Sequence, residues 1–188
     1  MTSSSGGSMS RVLRVSVLLL VLLAATVLAG TATAAALSLE PADTTVTVGD
    51  TFTLRVVCDA VPDLKGLQTA YAYPAARLQL LAMPAGNVFT DAGGAWFDYV
   101  LPDATAPADT AWMDAAMLDG STQGPGVVAY VQFKALVEGD AVLACARAEM
   151  RDSGNASLAP TCAAGAVHVV GPVPVARRSW GRLKGLYR

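Results

Sequence analysis

The chain is poor in the residues that do chemistry. Its 188 residues include one histidine, His168, and three cysteines, Cys58, Cys145 and Cys162, none in a Cys-x-x-Cys pair. Zinc and similar centres need clustered His and Cys ligands, so no metal site and no cofactor is expected. Gly-x-Ser-x-Gly elbows, His-Glu-x-x-His helices, EF-hand loops and phosphate-binding glycine loops are all missing. Carboxylates are plentiful but scattered; Asp91, Asp98, Asp114 and Asp119 read as a solvated acidic surface. Nothing in their spacing sets two of them about 5 Å apart across a cleft, as a retaining glycosidase requires. His168, near the end of an apolar run, reads as structural. The chain is expected not to be an enzyme.

Basic charge is also scarce where it would matter for nucleic acid. All 15 acidic residues lie between Glu40 and Asp152, against six of the 13 Lys and Arg, so this stretch carries −9. That balance excludes a nucleic-acid footprint. After Ser38 there is no second long apolar run, so no membrane span is expected in the mature chain. The first run, Val15 to Ala29, follows Arg11 and Arg14 and leads into small residues at Ala32, Ala34 and Ala36. This is the pattern of a signal peptide over residues 1–34, cleaved after Ala34 or Ala36. A secreted or surface-held product follows, and export permits a disulfide. Cys145 and Cys162 are placed symmetrically about the turn signal "RDSGN", which would set them facing across a hairpin. Pro160 would disturb that ladder, and three buried thiols are the alternative.

The body reads as strands separated by Gly and Pro, with no helical periodicity of useful length before residue 175. "TTVTV" and "TFTLRVVC" are joined at Gly49-Asp50. In "LQTAYAY", Leu67, Thr69, Tyr71 and Tyr73 share one face, and Gln68, Ala70 and Ala72 the other. "ARLQLLAM" follows. "GNVFTDAGG" and "AWFDYVLP" are expected to pair as a hairpin through Gly93-Gly94, with Trp96 and Asp98 alternating against Phe97 and Tyr99. "TAWMDAAMLDG", "GVVAYVQFKA", "AVLACARAEM" and "GAVHVV" complete an all-β sandwich. "GPVPV" at 171–175 is a semi-rigid spacer. It leads to a basic, aromatic tail over the rest of 171–188.

The order of these signals resembles bacterial cohesin domains. "VGDTF" at 48–52, "GLQ" at 66–68, "YPA" at 73–75 leading to Leu78, "GPGVVAYVQFKALVEG", "AEMRDSGN" and "GAVHVV" stand in that family's order from Leu39 to Val170. Tyr73-Pro74 replaces the usual Asp-Pro, the mark of a divergent member. The resemblance implies a nine-stranded jelly-roll sandwich over 37–170 with no catalytic role. It also implies a flat sheet face that docks a calcium-loaded dockerin helix pair, in polysaccharide-degrading or surface assemblies. The docking strands would be "LQTAYAY", "GNVFT", "AWFDYV" and "GVVAYVQF". That places Gln68, Ala70, Ala72, Trp96, Asp98, Val128, Tyr130 and Gln132 on the partner-binding face. Such a module is expected to be a monomer. A carbohydrate-binding module of the same shape is the alternative, with the polysaccharide stacked on coplanar aromatics drawn from Trp96, Tyr99, Trp112 and Tyr130.

Overall fold

The computed structural model describes residues 35–101 and 109–172. The expected signal peptide and the basic tail lie outside the described residues. Eleven strands form two sheets: β1 (Ala36–Glu40), β2 (Asp43–Thr47), β3 (Thr51–Cys58), β4 (Gly66–Ala72), β5 (Leu78–Ala82), β6 (Trp96–Leu101), β7 (Thr110–Met117), β8 (Gly126–Ala135), β9 (Gly139–Arg151), β10 (Thr161–Cys162) and β11 (Gly165–Val170). One sheet runs β10-β1-β3-β8-β5, the other β2-β11-β9-β4-β7-β6. The count exceeds the expected nine. β10 has two residues. Pro41, which offers no N–H, separates β1 from β2 and lets the chain cross from one sheet to the other.

The core forms where the alternating apolar residues of both sheets meet. Leu54, Val56, Val131 and Phe133 come from the five-stranded sheet, and Leu67, Tyr71, Met113, Leu143, Met150 and Val167 from the other. Tyr73 packs edge-on against Phe133 at 5.0 Å between ring centroids. The predicted inward face of β4 is therefore inward, with Leu67, Thr69 and Tyr71 all buried.

The expected hairpin strand at "GNVFT" is instead a single helical turn, α1 (Asn87–Thr90). Its backbone bonds are local, with Thr90 N–H donating to Gly86 O and Asp91 N–H to Asn87 O at 3.1 Å each, and it buries both Val88 and Phe89. The turn is tied to its surroundings. Val127 N–H donates to Asn87 Oδ1 at 2.8 Å, and the Thr122 hydroxyl donates to Val88 O at 2.6 Å. Gly86, before the turn, lies so close to β8 that a Cβ there would sit 2.2 Å from Val127 O, so only glycine fits.

Cys145 and Cys162 are joined by a disulfide with their Cα atoms 6.1 Å apart. The geometry is not the symmetric hairpin read from the sequence. The antiparallel return after β9 goes no further than the Arg151–Ser157 bridge. The chain then crosses over, and Cys162 pairs in parallel with Leu37 of the five-stranded sheet. The bond thus ties the two sheets together. It is made possible by a bulge. Ala70 is opposite Arg147 while Tyr71 is opposite Cys145, so Ala146 is the extra residue of β9. Without it, Cys145 and Arg147 would point the same way; with it, Cys145 turns inward beside Tyr71. The Tyr71 hydroxyl lies 3.4 Å from Cys162 Sγ, and burial pushes its pKa up to about 12.

His168 joins three strands of the larger sheet. Its Nδ1 lies 2.7 Å from Asp140 Oδ1 of β9, and its Nε2 lies 3.1 Å from Asp43 Oδ1 of β2. Only the imidazolium has an N–H on both nitrogens, so this geometry favours the charged ring. The hydrogen bond to Asp140 raises the His168 pKa above its usual value, and the charge of Asp43 adds to the rise.

Two predictions follow from these ties. A Cys145→Ala/Cys162→Ala double variant is expected to lose about 3 kcal/mol of stability in urea unfolding, the entropy of a closed loop of this size. An unchanged midpoint would show that the bond does not hold the sheets. For His168 the raised pKa belongs to the folded state, so the stabilisation is complete below the unfolded value near 6.5 and fades as pH rises through the folded value. Thermal melts of the protein and its His168→Gln variant should differ at pH 6, and the gap should shrink by pH 8.5. A gap that widened with pH would contradict the clamp.

Candidate functional site

The bare face of β4 becomes the centre of a four-strand surface once the sheet is assembled. Residues opposite one another in register share a face, so the outward rows can be read directly. Glu149 and Asp114 flank Gln68, Arg147 and Trp112 flank Ala70, Ala144 and Thr110 flank Ala72, and Arg151 and Ala116 flank Gly66. β6 adds Phe97 opposite Ala116 and Tyr99 opposite Asp114, both about half exposed. The site is therefore the outer side of β9, β4, β7 and β6.

This surface is not uniformly bare. Ala70 points away from the core and yet is only 1% exposed. The cause is the pair beside it: the Arg147 guanidinium lies 5.5 Å from the Trp112 ring centroid and roofs the small side chain between them. Glu149 fixes the guanidinium from the other side at 2.7 Å. A cation over an aromatic ring at an exposed site contributes about 0.5–1 kcal/mol. A low ridge thus crosses the middle of the face. On the Ala72 side, a broad hollow of about 510 Å³ is lined by Ala72, Pro74, Arg77, Asp140, Val142 and Ala144. On the Gly66 side, a smaller one of about 190 Å³ includes Gly66, Gln68, Phe97, Asp114, Ala116 and Arg151.

Of the residues expected on the binding face, Gln68, Ala70 and Ala72 are there. Val128, Tyr130 and Gln132 are not. β8 belongs to the other sheet, between β3 and β5, so Tyr130 and Gln132 point outward on the opposite side of the sandwich, opposite Arg55 and Thr53. Val128 is fully buried at a bulge, where Val127 faces Val57 and Ala129 faces Val56. Trp96 and Asp98 also face the other way. They lie in register with Met117 and Ala115 on the inner side of β6, and Trp96 packs near Phe89 with ring centroids 6.2 Å apart. Asp98 stays exposed because β6 is the sheet edge, where an inward-pointing charge discourages pairing with another strand. Phe97 and Tyr99 take the outward positions instead. The residues the sequence reading missed are Trp112, Asp114, Ala116, Arg147 and Glu149. The alternation in "TAWMDAAM" carried the first three, but nothing in the sequence placed that strand beside β4.

Chemistry finds little purchase here. Asp114 and Glu149 flank Gln68, two strand spacings or about 9.6 Å apart at the backbone, and Glu149 is already paired with Arg147. A third hollow, of about 400 Å³ beside α1, is polar but contains one carboxylate, Asp91, and no histidine. Among the described residues no group of three His, Cys, Asp or Glu side chains could hold a metal ion, and no helix is long and apolar enough to cross a membrane.

No family model matches the sequence, and no curated protein matches it. Solved structures do match. A non-cellulosomal cohesin from the hyperthermophilic archaeon Archaeoglobus fulgidus superposes with a TM-score of 0.60 at 13% identity, covering 82% of this chain and 98% of that one. The seventh ScaB type I cohesin from Pseudobacteroides cellulosolvens gives 0.62 at 16% identity, covering 77% and 97%. A type I cohesin–dockerin complex of OlpA from Clostridium thermocellum gives 0.61 at 10% identity, covering 73% and 100%. Two curled sheets, joined in this order and matched over almost the whole of each of these modules, give the chain the fold of a cohesin module.

Proposed function

We propose that the chain is an exported, non-catalytic docking module that holds a dockerin-type protein partner on the outer face of β9, β4, β7 and β6. One observation carries this reading: that face is built from Gly66, Ala70, Ala72, Ala116 and Ala144 with exposed Phe97 and Tyr99 at its rim. Small residues leave room for a partner's backbone to approach, and rim aromatics supply contact area at low entropic cost. The neighbours' own crystal structures add support, since several are cohesin–dockerin complexes. Calcium dependence, if present, belongs to the partner.

A polysaccharide ligand is the weaker reading. Of its four candidate aromatics, Trp96 faces inward, Tyr130 lies on the far sheet and the Trp112 ring is occupied by Arg147. Tyr99 is left to act with Phe97 alone, short of a stacking platform.

The test uses the exported chain as bait on the secreted proteins of its own host, first with calcium and then with EDTA. The expected result is calcium-dependent capture of a dockerin-bearing protein. Ala116→Arg, which fills one hollow, should weaken that capture at least tenfold, and Gln132→Arg, on the far sheet, should leave it unchanged. Equal loss in both variants would remove the face from the account. Retention on insoluble polysaccharide without protein capture would move the assignment to carbohydrate binding.

A further inference from the structure

The ridge over Ala70 bears on the kind of partner the face accepts. β9, β4 and β7 are interior strands whose backbone groups are already paired, so a partner cannot join them by strand addition and must present side chains. The Arg147–Trp112 pair stands between the two hollows, so contact has to fall on either side of it.

The two hollows differ in what they leave unsatisfied. In the Ala72 hollow the polar groups are engaged. Asp140 binds His168, and Arg77 donates to the Asp140 carbonyl. What remains free is apolar: Ala72, Ala144 and Val142, the last 59% exposed. In the Gly66 hollow the reverse holds. Glu149 is paired with Arg147, and Arg151 donates to the Asn155 carbonyl. Asp114 Oδ1, however, is shut off from solvent and has no hydrogen-bond partner. A donor cannot reach an oxygen that water cannot, but Asp114 as a whole is only half-buried, so a partner's cation can pair with the carboxylate from its open side. Phe97, 47% exposed, lines the same hollow and offers its ring to a cation.

We infer that the face selects a helix with two anchors: an apolar side chain for the Ala72–Val142–Ala144 hollow, and a Lys or Arg for Asp114 beside Phe97. This rests on the docking reading above. From Gly66 to Ala72 the strand rises about 20 Å. A helix laid along β4 covers that span in about 13–14 residues, and of these spacings only i, i+14 brings both side chains back to one face, about 40° apart. The anchors therefore sit nearly four turns apart, on one helix face, with small residues between them where the helix crosses Arg147.

A yeast-displayed library of two-helix hairpins, randomised along one helix, tests this against the exported chain, with counter-selection on its Ala116→Arg variant. The expected winners carry Lys or Arg at one position and Leu, Ile, Met or Phe about 14 residues away, on the same helix face. Asp114→Asn, which preserves shape, should weaken them at least tenfold. Replacing the hairpin's basic residue with Gln should produce a similar loss on the unmodified chain and little further loss on the Asn variant. That second arm leaves the protein untouched, so a folding defect cannot imitate it. Hairpins that occupy the face with no basic preference and bind the Asn variant equally well would overturn the two-anchor inference alone. If no hairpin distinguishes the chain from Ala116→Arg, the docking reading fails as well.

Discussion

The bulge at Ala146 is the constraint on which most of this structure turns. β9 is the longest strand, 13 residues, and it pairs with both β11 and β4. Had it alternated regularly, the residue that reaches the other sheet and the residue that roofs Ala70 would have shared a side. One extra residue separates them: Cys145 goes inward to Cys162, and Arg147 goes outward to Trp112. The same local event therefore ties the sandwich together and shapes the surface in front of it. β-bulges commonly re-aim side chains in this way next to functional surfaces.

The two outer faces of the sandwich differ in kind. Around Tyr130 and Gln132, the five-stranded sheet presents Thr53, Arg55 and Lys134, a mixed polar surface with an Arg55–Glu40 pair at its side. The six-stranded sheet presents small residues, two hollows and one ridge. Its charged residues are mostly matched internally, with Asp114 the exception. Charges already paired within the face need no new partner when a protein covers it, although drying the Arg147–Glu149 pair still carries a desolvation cost.

The sequence made the fold class and strand positions legible because period-2 alternation survives burial on one side. β4 illustrates this, with Leu67, Thr69 and Tyr71 inward as read. Alternation says which residues share a face of one strand, but not which sheet that strand joins. The position of Val128, Tyr130 and Gln132 beside Gln68 rests on the resemblance alone, and the sheet order puts them on the opposite side. Alternation is also silent about sign: "WFDYV" alternates equally well either way, and only the packing of Trp96 on Phe89 decides it. The turn at Asn87–Thr90 escaped for a different reason. Four residues are too few for a 3.6-residue period to appear, and its helical shape comes from contacts with β8 that are distant in sequence.

The ring closed by Cys145 and Cys162 contains a run of five exposed residues, Ser153, Gly154, Asn155, Ala156 and Ser157. Turns of this sort are where extracellular proteases cut. A cut there would divide the polypeptide into two fragments and leave them as one molecule, with β10 and β11 still joined to β9 through sulfur. For a chain exported as proposed, such a nick would be recorded in the polypeptide without being felt by the fold.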